Sequence, residues 1–223
     1  GGQAIGAIGS SYTYDALFRR ITKTISGTTR RFYYSDQWQI LEEYVGTSST
    51  PQMRYWFGIR DINDIARRQF FGLPANTDLY SLRDTMNVVA LVNTSGAVTQ
   101  RMAYDAFGNT RFLTATWGAG SNAGDWAILF HAHYRDSETG LYQMRFRYYQ
   151  PNLGLWLGRD PIAERGELNL YVMAGNNPVD RSDRLGLDWT EDNNCYNYAC
   201  ASAGETNPKD PNTSPFPKDA APG

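Results

Sequence analysis

Three aspartates in the last third of the chain have the side-chain type that general acid–base catalysis uses: Asp160, Asp180 and Asp183. Two carboxylates held a few ångströms apart can share one proton, which leaves one acid and one base for amide hydrolysis. Asp160 precedes Asp183 by 23 residues, enough chain for a sheet to return and bring the two together. Arg159 could stabilise a developing oxyanion or fix a carboxylate. The same aspartates could equally cap turns, and their spacing alone favours that structural role.

Two histidines and two cysteines also have side chains with metal-binding or nucleophilic chemistry. His131 and His133 are two residues apart, so on a strand their rings would share a face and could begin a metal site. The sequence indicates no third ligand, so we expect ordinary strand positions beside aromatic neighbours, with no metal and no cofactor. Cys195 and Cys200 could form a local disulfide or lie buried as apolar residues.

The elements that must position these groups are predicted to be strands. Aromatic residues make up 14% of the chain, and 21 Gly and 10 Pro supply turn residues, a combination that favours sheets joined by tight turns. Segments rich in Tyr, Val, Ile and Thr recur between turn signals, notably over 20–25, 31–34, 88–92 and 97–104, and polar and apolar residues alternate over 20–25. The sequence therefore predicts an all-β fold built as a meander of hairpins.

A short template recurs at two of the predicted turns, at residues 14–19 and 104–109. It reads Tyr-Asp-x-x-Gly-polar, with Phe18 in place of the glycine in the first copy. The tyrosine ends a strand, the aspartate bonds the backbone two residues on, and glycine takes the position with positive φ. We therefore assign Asp15 and Asp105 to turns rather than to a ligand site.

The residues from 130 to 187 are the richest in signals. Leu141 to Tyr149 alternates residue by residue and predicts one half-buried strand. Tyr142, Met144, Phe146 and Tyr148 would then share one face, and Gln143, Arg145 and Arg147 the other. From residue 188 the chain becomes rich in proline and polar residues, which cannot assemble a core alone. We predict three parts: hairpins at 1–113, a core domain at 114–187 and a variable tail at 188–223.

Charge and hydropathy exclude two classes of function. The 21 Lys and Arg nearly balance the 23 Asp and Glu, so no strong positive field would attract nucleic acid. No apolar run reaches the roughly 18 to 20 residues that a membrane-spanning helix needs. The first 11 residues are small and uncharged, unlike a secretory signal, so we expect either another export route or a fragment.

An ordered series of motifs resembles the Rhs or YD-repeat proteins, specifically their repeat-associated core domain. The resemblance covers most of residues 12–187, with the hairpins before residue 113 similar to diverged repeats. Its motifs are Tyr104-Asp105-Ala106-Phe107-Gly108-Asn109, Tyr134-Arg135-Asp136-Ser137-Glu138-Thr139-Gly140-Leu141-Tyr142, Arg147-Tyr148-Tyr149-Gln150-Pro151-Asn152-Leu153-Gly154, Arg159-Asp160-Pro161-Ile162, Asn169-Leu170-Tyr171, Asn176-Asn177-Pro178-Val179 and Asp183-Arg184-Leu185-Gly186-Leu187.

The resemblance implies part of a spiralling β-sheet shell with an irregular carboxyl-terminal plug and a mostly coil tail. Teneurins and the C proteins of insecticidal toxin complexes are similar in architecture. In this family the shell encloses a carboxyl-terminal polypeptide, commonly a toxin, and the proteins are secreted or lie at the cell surface. The implied partners are the chain's own cargo peptide and secretion-machinery or immunity proteins.

The resemblance also implies an aspartate-dependent cut in the chain's own backbone. The family's core domain ends at a Pro-x-x-x-x-Asp-Pro-x-Gly-Leu signature, which Pro178, Asp183, Gly186 and Leu187 match. Arg184 departs from it by standing where the family has proline. By this transfer the expected scissile bond joins Leu187 to Asp188. The resemblance favours a catalytic role for Asp183 and, less strongly, for Asp160, which are the pair we prefer on chemical grounds.

Three alternatives remain open at this point. Cys195 would be a nucleophile if the tail is the start of a cargo enzyme, although no histidine follows it to act as base. The whole segment could instead be a non-enzymatic cell-surface module that binds a carbohydrate or a protein, with Arg184 marking an inactive cleavage site. A degenerate fragment, too short to close a shell, is the third possibility.

Overall fold

The structure is a computed structural model that describes residues 9–60, 62–72, 76–84, 86–161, 169–187 and 190–191. This described part is all-β, as predicted, with two short 3-10 turns at Phe130–Ala132 and Ala174–Asn176. It holds no helix long and apolar enough to cross a membrane. Asp188, Cys195, Cys200 and the predicted coil tail lie outside the described residues.

The first half of the chain forms one ten-stranded antiparallel sheet in which each strand pairs with its neighbours in sequence. The predicted hairpin meander is therefore confirmed, with β1 and β10 at the two edges of the sheet. The strands are β1 (Ser10–Tyr14), β2 (Arg20–Ile25), β3 (Thr28–Tyr34), β4 (Ile40–Val45), β5 (Met53–Phe57), β6 (Ile65–Phe70), β7 (Thr77–Arg83), β8 (Val88–Val92), β9 (Val98–Tyr104) and β10 (Thr110–Thr114).

The repeated aspartate template closes hairpins as the sequence predicts. Oδ1 of Asp15 accepts the N–H groups of Leu17 and Arg19, each at 2.9 Å. Oδ1 of Asp105 accepts the corresponding N–H groups two and four residues further on, also at 2.9 Å. Phe18 has a φ of 62° at the position where the second copy has glycine. The turn role of both aspartates is confirmed.

A third copy of the template, at residues 34–39, is missed by the sequence analysis. Ser35 takes the place of the aspartate, and its Oγ accepts N–H groups from Gln37 and Gln39 at 3.2 Å. Trp38 has a φ of 63° at the glycine position. This copy has a serine and a tryptophan where the template has aspartate and glycine. Only its spacing from the strand-end tyrosine could have revealed it.

The carboxyl-terminal part forms two small antiparallel sheets. One contains β11 (Tyr134–Arg135), β12 (Tyr142–Met144), β13 (Arg147–Gln150) and β14 (Leu155–Trp156). The other pairs β15 (Arg181–Ser182) with β16 (Thr190–Glu191) across the predicted boundary after Leu187.

The prediction of one continuous strand from 141 to 149 is wrong. The chain reverses between β12 and β13 through Arg145, whose φ is 52°, and Met144 pairs with Arg147. This tight turn moves the buried positions from even to odd numbers, because it breaks the period-2 alternation. Arg147 and Tyr149 are therefore buried, and Phe146, predicted to share the apolar face, is 39% exposed.

An aromatic core packs between the large sheet and the residues that follow it. Side chains such as Phe32, Tyr55 and Val88 from the sheet lie in one buried cluster with Trp126, Tyr142 and Trp156. Burial of each such side chain stabilises the fold by roughly 1.5–3 kcal/mol. The core thus contains residues from both sides of the boundary predicted at residue 113, and the three-part division stays a prediction.

A buried ion cluster joins the first hairpin to the turn after β11. Arg20 and Asp136, both fully buried, pair at 2.6 Å through Nη1 and Oδ2. Lys23 binds the other oxygen of Asp136 at 2.8 Å and Glu138 at 3.0 Å. The sequence analysis named the two acids only as parts of a motif and gave them no partners.

Candidate functional site

The segment from Pro178 to Leu187, called the exit segment below, carries the motif residues matched in the sequence. Pro178, Asp183 and Gly186 are buried, and Leu187 is partly buried at the end of a described range. The bond predicted to be cut joins Leu187 to a residue outside the described part of the chain.

Asp183 folds its side chain back onto the exit segment. Its Oδ1 accepts the N–H of Gly186 at 2.7 Å and the N–H of Leu187 at 2.9 Å. The residue is 2% exposed. The carboxylate therefore contacts the amide of Leu187, two covalent bonds from the carbonyl carbon of the predicted cleavage site.

One guanidinium brings the two predicted catalytic carboxylates together. Arg147 on β13 pairs through Nη1 with Oδ2 of Asp160 at 2.9 Å and through Nη2 with Oδ2 of Asp183 at 3.0 Å. Its Nε donates to the carbonyl oxygen of Gly186 at 2.5 Å. Arg147 itself is 5% exposed and lies 4.1 Å from the ring centroid of Trp156. The structure therefore places Asp160 and Asp183 at one cation.

The other predicted groups are not at this centre. Arg159 is exposed, although it precedes Asp160 directly. Asp180 is exposed and accepts a hydrogen bond from Asn177 at 3.1 Å, which is a local turn contact. Among the described residues, no group of three His, Cys, Asp or Glu side chains is arranged to hold a metal ion.

The turn between β12 and β13 contacts three successive carbonyl groups of the exit segment. Arg145 donates from Nη1 to the carbonyl oxygen of Arg184. The backbone N–H of Phe146 donates to the carbonyl oxygen of Leu185 at 3.1 Å, and Arg147 binds that of Gly186. The turn thus holds the main chain at residues 184, 185 and 186.

The two histidines also bind the exit segment, and they do not lie on a strand as predicted. His131, in a 3-10 turn, donates from Nε2 to the carbonyl oxygen of Pro178 at 2.9 Å and stacks on Phe130. His133 hydrogen-bonds the main chain of Asp183. Burial lowers the pKa of His131 to about 4 and the pKa of His133 well below its usual value. Both rings are therefore neutral near pH 7 and act as donors to main-chain oxygens.

Burial also decides the protonation of Asp183. It raises the pKa of this carboxyl group from 3.8 to about 6, against the opposing effects of the two backbone N–H groups and of Arg147. A carboxyl group with a pKa near 6 can both give and take a proton near neutral pH. The site can therefore do acid–base chemistry next to the amide of Leu187.

Arg147, which binds both predicted catalytic carboxylates, was not among the site residues predicted from the sequence. The analysis placed it on the exposed face of a strand that the structure divides into two. The sequence does show two arginines, Arg145 and Arg147, shortly before a glycine-containing turn, in a segment with few other charges. Without the turn at Arg145, nothing in the alternation pattern indicates that Arg147 faces inward.

Comparisons with known proteins agree with this architecture. A family model described as "Teneurin YD-shell" matches residues 4–179. The tRNA3(Ser)-specific nuclease WapA of Bacillus spizizenii is 28% identical over 79% of the chain, and toxin subunit YenC2 of Yersinia entomophaga is 38% identical over 45% of it. A crystal structure of TcdB2-TccC3-TEV superposes on 80% of the chain with a TM-score of 0.62 and 26% identity. The chain spans only 7%, 10% and 9% of these three proteins, respectively.

Proposed function

The chain belongs to the Teneurin YD-shell family, and we propose that it is the carboxyl-terminal shell segment of a polymorphic toxin. In this proposal the shell encloses a following effector and releases it by aspartate-dependent self-cleavage after Leu187. The relatives named as toxin subunits support the toxin assignment. The ten-stranded sheet, with its ordered hairpins, is the wall of the shell.

The observation that carries the self-cleavage proposal is the contact between Asp183 and the exit segment. The carboxylate binds the N–H groups of Gly186 and Leu187, and Arg147 links it to Asp160. The carboxyl group of Asp183, with a pKa near 6, can give or take a proton near neutral pH, and the carboxyl group of Asp160 lies at the same guanidinium.

The proposed reaction is hydrolysis of one peptide bond. Water attacks the carbonyl carbon of Leu187 and loses a proton to one carboxylate of the Asp160–Asp183 pair. The other carboxyl group supplies the proton that the nitrogen of Asp188 needs when the carbon–nitrogen bond breaks. The direct products are a carboxylic acid at Leu187 and a free amine at Asp188. Transfer of the proton of that acid to the amine gives a carboxylate and an ammonium group, so atoms and protons balance.

Arg184 does not remove the contacts on which this chemistry depends. Its carbonyl oxygen is held by Arg145, and the N–H donors to Asp183 come from the two residues Gly186 and Leu187. Proline at this position would fix its own φ and bias the residue before it. We propose that the side-chain contacts supply this constraint here, so Arg184→Pro should leave cleavage intact.

Pulse-labelled translation of the wild-type chain and three variants tests the proposal. The wild-type chain should yield a fragment ending at Leu187, and Asp183→Asn and Asp160→Asn should remain whole. Asp180→Asn is the matched control, because this exposed carboxylate is three residues from Asp183 and makes only a local contact. Cleavage that persists in Asp183→Asn would refute the proposed chemistry.

The remaining assignments follow from the same proposal. The effector would be the chain's own carboxyl-terminal peptide, which begins with the tail that contains Cys195 and Cys200. Secretion or surface display, and binding to secretion-machinery or immunity proteins, are proposed by analogy with the toxin relatives. A non-enzymatic binding module, the rival from the sequence, predicts that the wild-type chain stays whole in the same experiment.

A further inference from the structure

We propose that the turn at residues 145–147 is a clamp on the exit segment and that Arg147 positions the Leu187–Asp188 bond for cleavage. This inference rests on the proposed self-cleavage and names the residue on which its geometry depends. Arg147 is a positioning residue, since its contacts are to the two carboxylates and to the carbonyl group of Gly186.

The register of the contacts supports a clamp. Residues 145, 146 and 147 donate, in order, to the carbonyl oxygens of residues 184, 185 and 186. Two of these donors are guanidinium groups and one is a backbone N–H. Three consecutive contacts leave the main chain little freedom just before Leu187. A displacement of about 1 Å at a reacting bond can cost about 100-fold in rate, so such a constraint has a catalytic consequence.

Arg147 has the shape that this position requires. Its Nη1, Nη2 and Nε bind three different acceptors, on Asp160, Asp183 and Gly186. The planar group packs on Trp156 at 4.1 Å and is 5% exposed, which fixes its orientation. A lysine ammonium has one nitrogen and cannot reproduce this fork.

Close packing makes the clamp specific for this segment. A Cβ added to Gly186 would lie 2.5 Å from the carbonyl oxygen of Met144 and 3.2 Å from the backbone nitrogen of Arg147. Gly186 also has a φ of 73°, which favours glycine. The clamp therefore closes on a residue without a side chain.

The charged groups around Asp183 predict how its pKa changes when Arg147 is replaced. Arg147 contacts its carboxylate, Asp160 lies on the other side of that guanidinium, and His133 binds its main chain. Arg145 acts on the next carbonyl group along the chain, that of Arg184. Because Arg147 lowers the pKa of Asp183 against the effect of burial, its loss should raise that pKa above about 6.

Self-cleavage rates across pH test the positioning role. Arg147→Gln should cut about 100-fold more slowly and should move the pH profile to higher values. Arg147→Lys should also be slow, but it should keep the wild-type pH profile. Its ammonium group still supplies a positive charge beside the carboxylates of Asp160 and Asp183. Arg111→Gln, in an exposed position on β10, is the control and should match the wild type. An Arg147→Gln profile with an unchanged midpoint and rate would overturn the inference.

Hydrogen exchange separates failure of the clamp from failure of the proposed function. With Asp160→Asn present in both proteins to keep the chain uncut, the amides of Gly186 and Leu187 should be protected when Arg147 is retained. They should exchange about tenfold faster or more in Arg147→Gln, since a charge-assisted bond is lost. If the wild-type chain never cuts but these amides respond as stated, the self-cleavage proposal fails and the clamp stands. Equal exchange in both proteins would overturn the clamp.

Discussion

At the residue scale, burial and hydrogen bonding compete at Asp183. The carboxylate accepts bonds from two backbone N–H groups and from Arg147, all of which favour its charged form. Its removal from water has the larger effect and raises its pKa to about 6. The residue is thus a structural part of the exit segment and a titratable group in the pH range where proteins work.

This competition predicts a pH dependence of stability. Because the folded pKa of Asp183 lies above the unfolded value of 3.8, its stabilising effect is fully present below pH 3.8 and is lost as pH rises through about 6. The total loss is about 3 kcal/mol. Asp183→Asn has no such titration, so the wild type should lose stability relative to this variant between pH 4 and pH 6.5.

Urea unfolding at several pH values measures this difference. Both proteins should carry Asp160→Asn, which by our account keeps the chain intact during the measurement. A constant stability difference across this pH range would show that the pKa of Asp183 is not raised.

Gly186 gives a second prediction at this scale. Gly186→Ala should lower the folding stability and slow self-cleavage, because its Cβ would meet the main chain of Met144 and its φ is positive. Gly158→Ala is the matched control, with nothing within 4 Å of the added Cβ. Thermal unfolding and cleavage assays of both variants check this, and equal behaviour of the two would contradict the close approach.

Single residues differed in how far the sequence could predict them. Asp183 was selected by its place in a motif and Asp160 by the same resemblance, and their catalytic roles remain proposals. Arg147 was missed, because its inward direction depends on a turn that the alternation pattern does not reveal. Asp160 and Asp183 meet at one guanidinium because of tertiary packing. Local sequence does not indicate this contact.

At the scale of elements, the buried ion cluster ties the first hairpin to the turn after β11. Arg20 and Asp136 are fully buried and separated by 116 residues in sequence. A buried pair contributes little relative to apolar side chains, but the loss of one partner leaves an uncompensated charge. We therefore expect this cluster to hold the two parts of the fold in a fixed relation.

Asp136→Asn tests the cluster. The change should lower the free energy of unfolding by about 3–5 kcal/mol, because Arg20 and Lys23 lose a buried counter-charge. Asp36→Asn, at an exposed turn position, should change it by less than about 0.5 kcal/mol. Denaturant unfolding measures both, and a similar small effect of the two changes would show that the cluster contributes nothing to coupling.

Local patterns predicted most strands of the large sheet and failed in the small one. The segments 20–25 and 88–92, each next to turn residues, correspond to β2 and β8. The segment 141–149 alternates residue by residue but contains a reversal, because Arg145 adopts a positive φ that its residue type does not indicate. The turn at Arg145 binds the exit segment. These tertiary contacts stabilise a turn that the alternation pattern does not predict.

At the scale of the whole molecule, the chain is an open sheet wall packed on an aromatic core and an exit segment. Its edges at β1 and β10 do not close on each other. Enclosure of a cargo therefore requires more strands than the ten of this sheet, in accord with the small share of its relatives that the chain spans. The proposed function combines a wall, which the sheet provides, with a cut after Leu187.

The mass of the purified wild-type chain tests this account most directly. We expect the intact species of 25.1 kDa to be replaced by a fragment ending at Leu187 and a peptide beginning at Asp188. Asp183→Asn, purified in the same way, should give the full mass alone. A wild-type chain that stays at 25.1 kDa after folding would contradict self-cleavage and leave a shell segment without chemistry of its own.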